Sequence, residues 1–176
     1  MAQLNGTQTS NTNPYVTAVD NDDGTNLAWH AQDNNSATNW YTGNVAQPHW
    51  VNIDFGAGNP KVVKRYSVTA IGGNSFDSPK DFVLAGSADD SAWTDLDTRT
   101  GILLDDSGAG QTVDYDIANV TSYRYYRLRT TLSKNDRNWT SVEEWKLYDA
   151  QSTTTSTSTS TSTSTSTTST STSTST

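Results

Sequence analysis

The sequence contains no cysteine, which excludes disulfide staples and thiolate metal sites. Histidine occurs only at His30 and His49, too far apart for the H-E-x-x-H zinc motif. No G-x-S-x-G nucleophile elbow is present, since "AGSAD" does not match it. With 19 acidic residues, carboxylate pairs are inevitable and say nothing of a glycosidase. An enzyme is therefore not expected. No apolar run approaches the ~20 residues of a membrane span, and "MAQLNGTQ" lacks a signal-peptide core. Basic residues are outnumbered 11 to 19, a net charge of −8, which disfavours a phosphate-binding nucleic-acid surface. The one basic cluster, Arg124, Arg127 and Arg129 in "RYYRLR", lies in a strand-like run.

The chain divides into two parts. Every residue from Ser152 to Thr176 is Ser or Thr. Such a segment cannot bury enough surface to offset an ordering cost of roughly 1–2 kcal/mol per residue. Residues 151–176 are therefore expected to be a disordered Ser/Thr linker or stalk, of a composition suited to O-glycosylation. Residues 1–150 have the size of one domain. Without the tail the apolar share rises to roughly 37%, near 44% with Gly, close to the globular norm.

Helical periodicity is nearly absent. Period-2 runs occur instead at 50–56, 65–71, 80–87, 112–117, 123–130 and 142–149, separated by Gly, Asn, Asp, Ser and Pro clusters. At least six antiparallel strands with long polar loops predict an all-β sandwich or jelly roll. The acidic segment "DNDDG" (20–24) reads as a hairpin turn.

Five segments, "AQDNNSATNW", "PHWVNIDFG", "SPKDFVLAGSADDSAWTDL", "SYRYYRLRTT" and "SVEEWKLYD", follow one another in the order and spacing of the discoidin family. This is the family of the C-type domains of coagulation factors V and VIII. The resemblance spans residues 14–149 and is nearest to the family-32 carbohydrate-binding modules. It implies an eight-stranded antiparallel jelly-roll sandwich with ligand loops at one end, a binding role and no catalysis. It also places Trp40, Trp50, Trp93 and Trp145 in the core. His49, which precedes Trp50 at a strand start, is expected to be structural.

"DNNSATNW" (33–40) admits two readings. Asp33 can cap a turn while Glu144 is solvated, or the loop can hold calcium, a cation that takes oxygen ligands. The resemblance implies a structural Ca2+ on the side chains of Asp33, Thr38 and Glu144, with carbonyls near His30, Asn35 and Glu143. Where the family often has Asp-Gly, this chain has Asp33-Asn34; Asn also tolerates the left-handed backbone. Alternation sends Val142 and Glu144 to one face and Glu143, Trp145 and Leu147 to the other.

Sugar-binding relatives use an aromatic platform before the last strand, and sugar recognition wants an apolar face plus directed polar groups. "SKNDRNW" offers Trp139 as platform, or as a residue packed under its own loop, with Asn135, Asp136 and Arg137 as hydroxyl partners. Asn74 and Phe76 of "GGNSFDS" and Trp29 and His30 of "AWHAQD" are further candidates. Galactose-binding relatives carry an Arg near 69–75, and this chain has none between Arg65 and Arg99. Trp29, Phe76 and Trp139 could serve as membrane spikes, but net −8 repels anionic lipid. The expectation is a non-catalytic carbohydrate-binding module at an extracellular, cell or virion surface, tethered through its tail for targeting or adhesion. A structural or adhesion module of a fibre or virion, binding protein or surface partners, is the alternative.

Overall fold

The computed structural model describes residues 1–12, 15–73 and 77–150. The expected tail, 151–176, and the candidates Asn74 and Phe76 lie outside the described residues. Among the described residues ten strands form: β1 (Val16–Val19), β2 (Trp40–Tyr41), β3 (His49–Asp54), β4 (Arg65–Thr69), β5 (Pro79–Ser87), β6 (Trp93–Arg99), β7 (Thr112–Asp116), β8 (Tyr125–Ser133), β9 (Ser141–Val142) and β10 (Glu144–Tyr148). A five-stranded sheet of order β1-β3-β8-β5-β6 packs on a three-stranded sheet, β10-β4-β7, and β2-β9 form a ribbon beside them. All pairings are antiparallel. The expected β-sandwich jelly roll is thus the fold.

The alternating runs explain the packing. Val51, Ile53 and Phe55 bury one face of β3 and its exit, and Tyr126 and Leu128 do so for β8. They meet Tyr66, Val68, Trp145 and Leu147 of the smaller sheet in one core. Aromatic rings lock the layers: Phe82 lies 5.7 Å from Tyr115 and Tyr66 stacks on Tyr115 at 5.0 Å, geometries favoured by ring quadrupoles. Trp40 and Trp145 are fully buried.

Trp50 and Trp93 are not core residues. Both are only partly buried, and they flank Arg127, whose guanidinium lies 4.2 Å from one ring centroid and 3.9 Å from the other. Asn52 Oδ1 accepts from Arg127 Nε at 2.6 Å. The reason is register. Asn52 pairs with Arg127 and Ser87 with Trp93, so these side chains share the outer face, where the period-2 rule opposes them to Val51 and Ile53. The other two arginines of the basic run are also paired, Arg124 with Asp54 at 2.6 Å and Arg129 with Asp95 at 3.6 Å.

The 20–24 segment is a polar bend leading toward a 3-10 turn (Ala28–Gln32), not a strand hairpin, because β1 pairs with β3. Asp23 accepts from the amides of Thr25 and Asn26, and Asp20 from that of Trp50. Such side-chain bonds to local backbone compete with strand pairing.

At the pole where β10 begins and β8 ends, the 70–73 and 107–111 loops approach through glycine. A Cβ on Gly110, which has φ +77, would lie 2.1 Å from the Ala70 carbonyl oxygen. Gly110→Ala is therefore expected to destabilise the domain by about 3 kcal/mol or more, read as a fall in urea midpoint at unchanged m. An unchanged midpoint would show that these loops can part freely. The opposite pole carries the last residues of the domain, since Tyr148 pairs with Arg65 and the Asp149 amide donates to the Ala2 carbonyl.

Candidate functional site

The β8–β9 connection builds an open cleft of about 370 Å³ lined by Asn44, Asp136, Arg137, Asn138 and Trp139. Asn135 and Asp136 adopt left-handed backbone, φ 63 and 57, which short polar side chains tolerate best. Lys80 holds Asp136 at 2.9 Å. Gln47 Nε2 donates to Ser133 Oγ at 2.9 Å and Thr140 Oγ1 at 3.0 Å. Fully buried His49 clips both cleft loops to β3. Its Nε2 lies 3.0 Å from the Val45 carbonyl and 2.8 Å from that of Asn138, and its Nδ1 lies 2.9 Å from Asp20. His49 is thus structural.

Trp139 is half-buried at the cleft. Tyr41 packs at a 39° tilt with ring centroids 6.2 Å apart, and the Arg137 guanidinium lies 5.3 Å from the Trp139 centroid. Beneath them Asp77, 3% exposed, accepts from the Tyr41 hydroxyl at 3.3 Å and sits 3.5 Å from Arg137 Nη1. Burial pushes the Asp77 carboxyl up against the pull of Arg137. Burial and the Asp77 charge push the Tyr41 phenol up to about 12.

Of the sugar candidates, Arg137 and Trp139 line the cleft, as does Asp136. Asn135 is exposed on the same turn. Trp29 and His30 lie elsewhere, in the 3-10 turn Ala28–Gln32, edge to face at 4.3 Å. Asn44, Asn138, Tyr41 and Asp77 were not singled out from sequence. Asn138 could have been, as the neighbour of Trp139. Asp77 could not, because its partners are 36 and 60 positions away.

A second cluster joins the 33–38 loop to the start of β10. Asp33 Oδ1 accepts from the Asn35 amide at 2.9 Å and Oδ2 from the Thr38 hydroxyl at 2.7 Å. That hydroxyl also lies 2.9 Å from the Asn35 carbonyl. The single hydroxyl proton is thus divided between a carboxylate and a carbonyl oxygen. Glu144, 4% exposed, is the other member. Among the described residues neither of its carboxylate oxygens has a well-formed hydrogen bond, and Lys146 stands off at 4.0 Å. Burial pushes its carboxyl up to about 7, with Asp33 adding to the rise and Lys146 opposing it. Glu144 is covered, not solvated, because the 3-10 turn Ala28–Gln32 packs against β10. The expected alternation fails because a bend at Glu143 separates β9 from β10 and lets Val142 join Trp145 and Leu147 in the core. Glu143 is also buried, and its carboxyl is pushed up for that reason. Among the described residues no three His, Cys, Asp or Glu side chains converge. A cation here would draw on two carboxylates, a hydroxyl and carbonyls, a donor set that suits calcium.

A two-sheet antiparallel sandwich with a loop-built cleft at one pole is a jelly-roll architecture. The family model described as the NedA-like, galactose-binding domain of the F5/F8 type C group matches residues 30–128, and the chain belongs to this family. No curated protein sequence is significantly similar to it. Among solved structures it is similar to a family-32 module of Clostridium perfringens in complex with GalNAc-β-1,3-galactose, at TM-score 0.64 and 15% identity, over 76% of this chain and 94% of that one. Chitosan-binding module 2 of a Paenibacillus chitosanase/glucanase, in complex with chitotriose, matches at TM-score 0.60 and 21% identity, over 76% and 95%. The C-terminal domain of a Bacteroides fragilis chitobiase matches at TM-score 0.66 and 16% identity, over 84% and 97%. At these identities the likeness establishes the fold.

Proposed function

We propose that this chain is a non-catalytic carbohydrate-binding module that uses the Trp139 cleft to hold one or two sugar rings at an extracellular surface. The observation that carries this reading is Trp139 itself, partly exposed beside Asn44, Asn138 and Arg137. An aromatic face for sugar C–H groups is thereby set next to amide and guanidinium donors for hydroxyls. The neighbouring carboxylates support a binding role, since Asp136 is committed to Lys80 and Asp77 to Arg137. The matched modules whose complexes hold GalNAc-β-1,3-galactose and chitotriose favour the same class of ligand.

Calcium forms part of the reading. Asp33, Thr38 and Glu144, with carbonyls near His30, Asn35 and Glu143, would hold the ion. Bound there, it supplies the positive charge that two converging buried carboxylates lack and ties the first loop to β10. The domain's last strand ends at the pole opposite the cleft. A tether through the Ser/Thr run would therefore leave the cleft facing outward, which suits targeting or adhesion.

The test is an array of immobilised glycans probed with the full chain in calcium. Signal confined to one group of terminal sugars is expected. Silence across the array would return the weight to a structural or protein-binding module.

A further inference from the structure

Among the described residues lining the cleft, Arg137 is the one that carries positive charge, and its side chain is 46% exposed. A free arginine beside an aromatic ring is well suited to capture a carboxylate, through a charge-assisted and often bidentate pair. This arginine is not free. Asp77 lies beside it, nine-tenths or more buried, and among the described residues its Oδ1 has no partner but Arg137, whose Nη1 stands 3.5 Å away. Its other oxygen is held by the Tyr41 hydroxyl. Drawing Arg137 away to a ligand carboxylate would strand a buried charge, which is strongly unfavourable.

We propose that Asp77 sets the charge preference of the cleft. By holding Arg137 as a neutral pair, it makes the site select uncharged sugars over sugar acids. The inference rests on the carbohydrate reading of the cleft. The guanidinium has five N–H donors, so pairing with Asp77 leaves others for neutral hydroxyl oxygens. The neighbouring lysines are likewise matched, Lys80 by Asp136 and Lys134 by Asp106, each at 2.9 Å. A uronate therefore meets an arginine whose charge is already answered, and it loses its own hydration for little return. Asp77 acts here through Arg137, as a positioning residue.

The test compares matched pairs, galactose with galacturonate and glucose with glucuronate, titrated into the full chain at low and high salt. Native protein is expected to bind the neutral member at least about tenfold better, the worth of one charge-assisted hydrogen bond. That preference should survive high salt, which screens the net charge of −8 but not a contact pair. Asp77→Asn keeps the shape, removes the charge, and should move the acid-to-neutral ratio toward the acid by about tenfold or more. A ratio is the readout because a merely structural loss would weaken both sugars equally, and that result would overturn the proposal. Should Asp77→Asn fail to fold, Arg137→Gln makes the test. Neutral binding should fall severalfold with the uronate still weaker, whereas unchanged neutral binding would contradict the inference. A native preference for uronate, or for a free amino sugar, would overturn this proposal alone. No binding of any sugar would overturn it together with the carbohydrate reading.

Discussion

Trp139→Ala is expected to weaken sugar binding at least about 30-fold, the loss of roughly 2 kcal/mol that follows truncation of a hot-spot aromatic. A site for one or two rings starts near millimolar affinity, about −4 kcal/mol, so the variant should fall below detection in a calorimetric titration. Useful retention at a surface would then depend on several copies or a tethered partner. The fold should hardly register the change. Trp139 lies on a connecting loop and meets Tyr41 and Arg137, while the core is built by Trp40, Trp145, Tyr66, Phe82 and Tyr126. A loss of about 1 kcal/mol corresponds to roughly 2–4 °C in a domain of this size. If the variant unfolds instead, Trp139 is a packing residue under its loop and cannot be the platform.

Calcium gives the second large effect, and its sign is set by Glu144. Burial raises this carboxyl to about 7, against an unfolded value near 4.3. Without metal, the folded state therefore keeps a proton that the unfolded state has released. The cost is absent below the unfolded value, grows as pH rises, and is complete above about 7. In chelator, melting temperature should accordingly decline across that window. Calcium at a hundredfold excess over its Kd should restore about 2.7 kcal/mol at neutral pH, or roughly 5–10 °C. Glu144→Gln should flatten the pH dependence in chelator and abolish the response to calcium. Asp33→Ala should lower the melting temperature in calcium and hardly at all in chelator, where losing its contacts to Asn35 and Thr38 is offset by relief of repulsion with Glu144. An equal loss in both conditions would remove the ion from the account.

Six strands were legible because their apolar residues alternate and one face enters the core, as Val51 and Ile53 show. The strand β6 was not, because Trp93–Arg99 lies at the edge of its sheet and is partly or fully exposed along its length. A strand needs a buried face before periodicity reveals it. Shortness hid β1, of four residues, and β2 and β9, of two each. Motif position placed Trp50 and Trp93 in the core, but register put them on the outer face, where Arg127 covers their rings. The loop carrying Trp139 is singled out by the resemblance, which sets an aromatic platform before the last strand. Its supports are not, since Tyr41, Gln47, His49 and Asp77 reach it from distant segments of chain. Trp29 and His30 were candidates by residue type, and the fold set them in a different turn.

The central claim is that sugar is held at the pole built by the β8–β9 loop, and the direct measurement is where a sugar lands. Amide and indole signals of the full chain would be followed by heteronuclear magnetic resonance in calcium, as galactose, glucose, N-acetylglucosamine and N-acetylgalactosamine are titrated in turn. At least one should shift the Trp139 indole together with the amides of Asn44 and residues 136–138. Shifts confined to the Arg127 face or to the opposite pole, or none for any sugar at tens of millimolar, roughly tenfold above the expected Kd, would contradict the account.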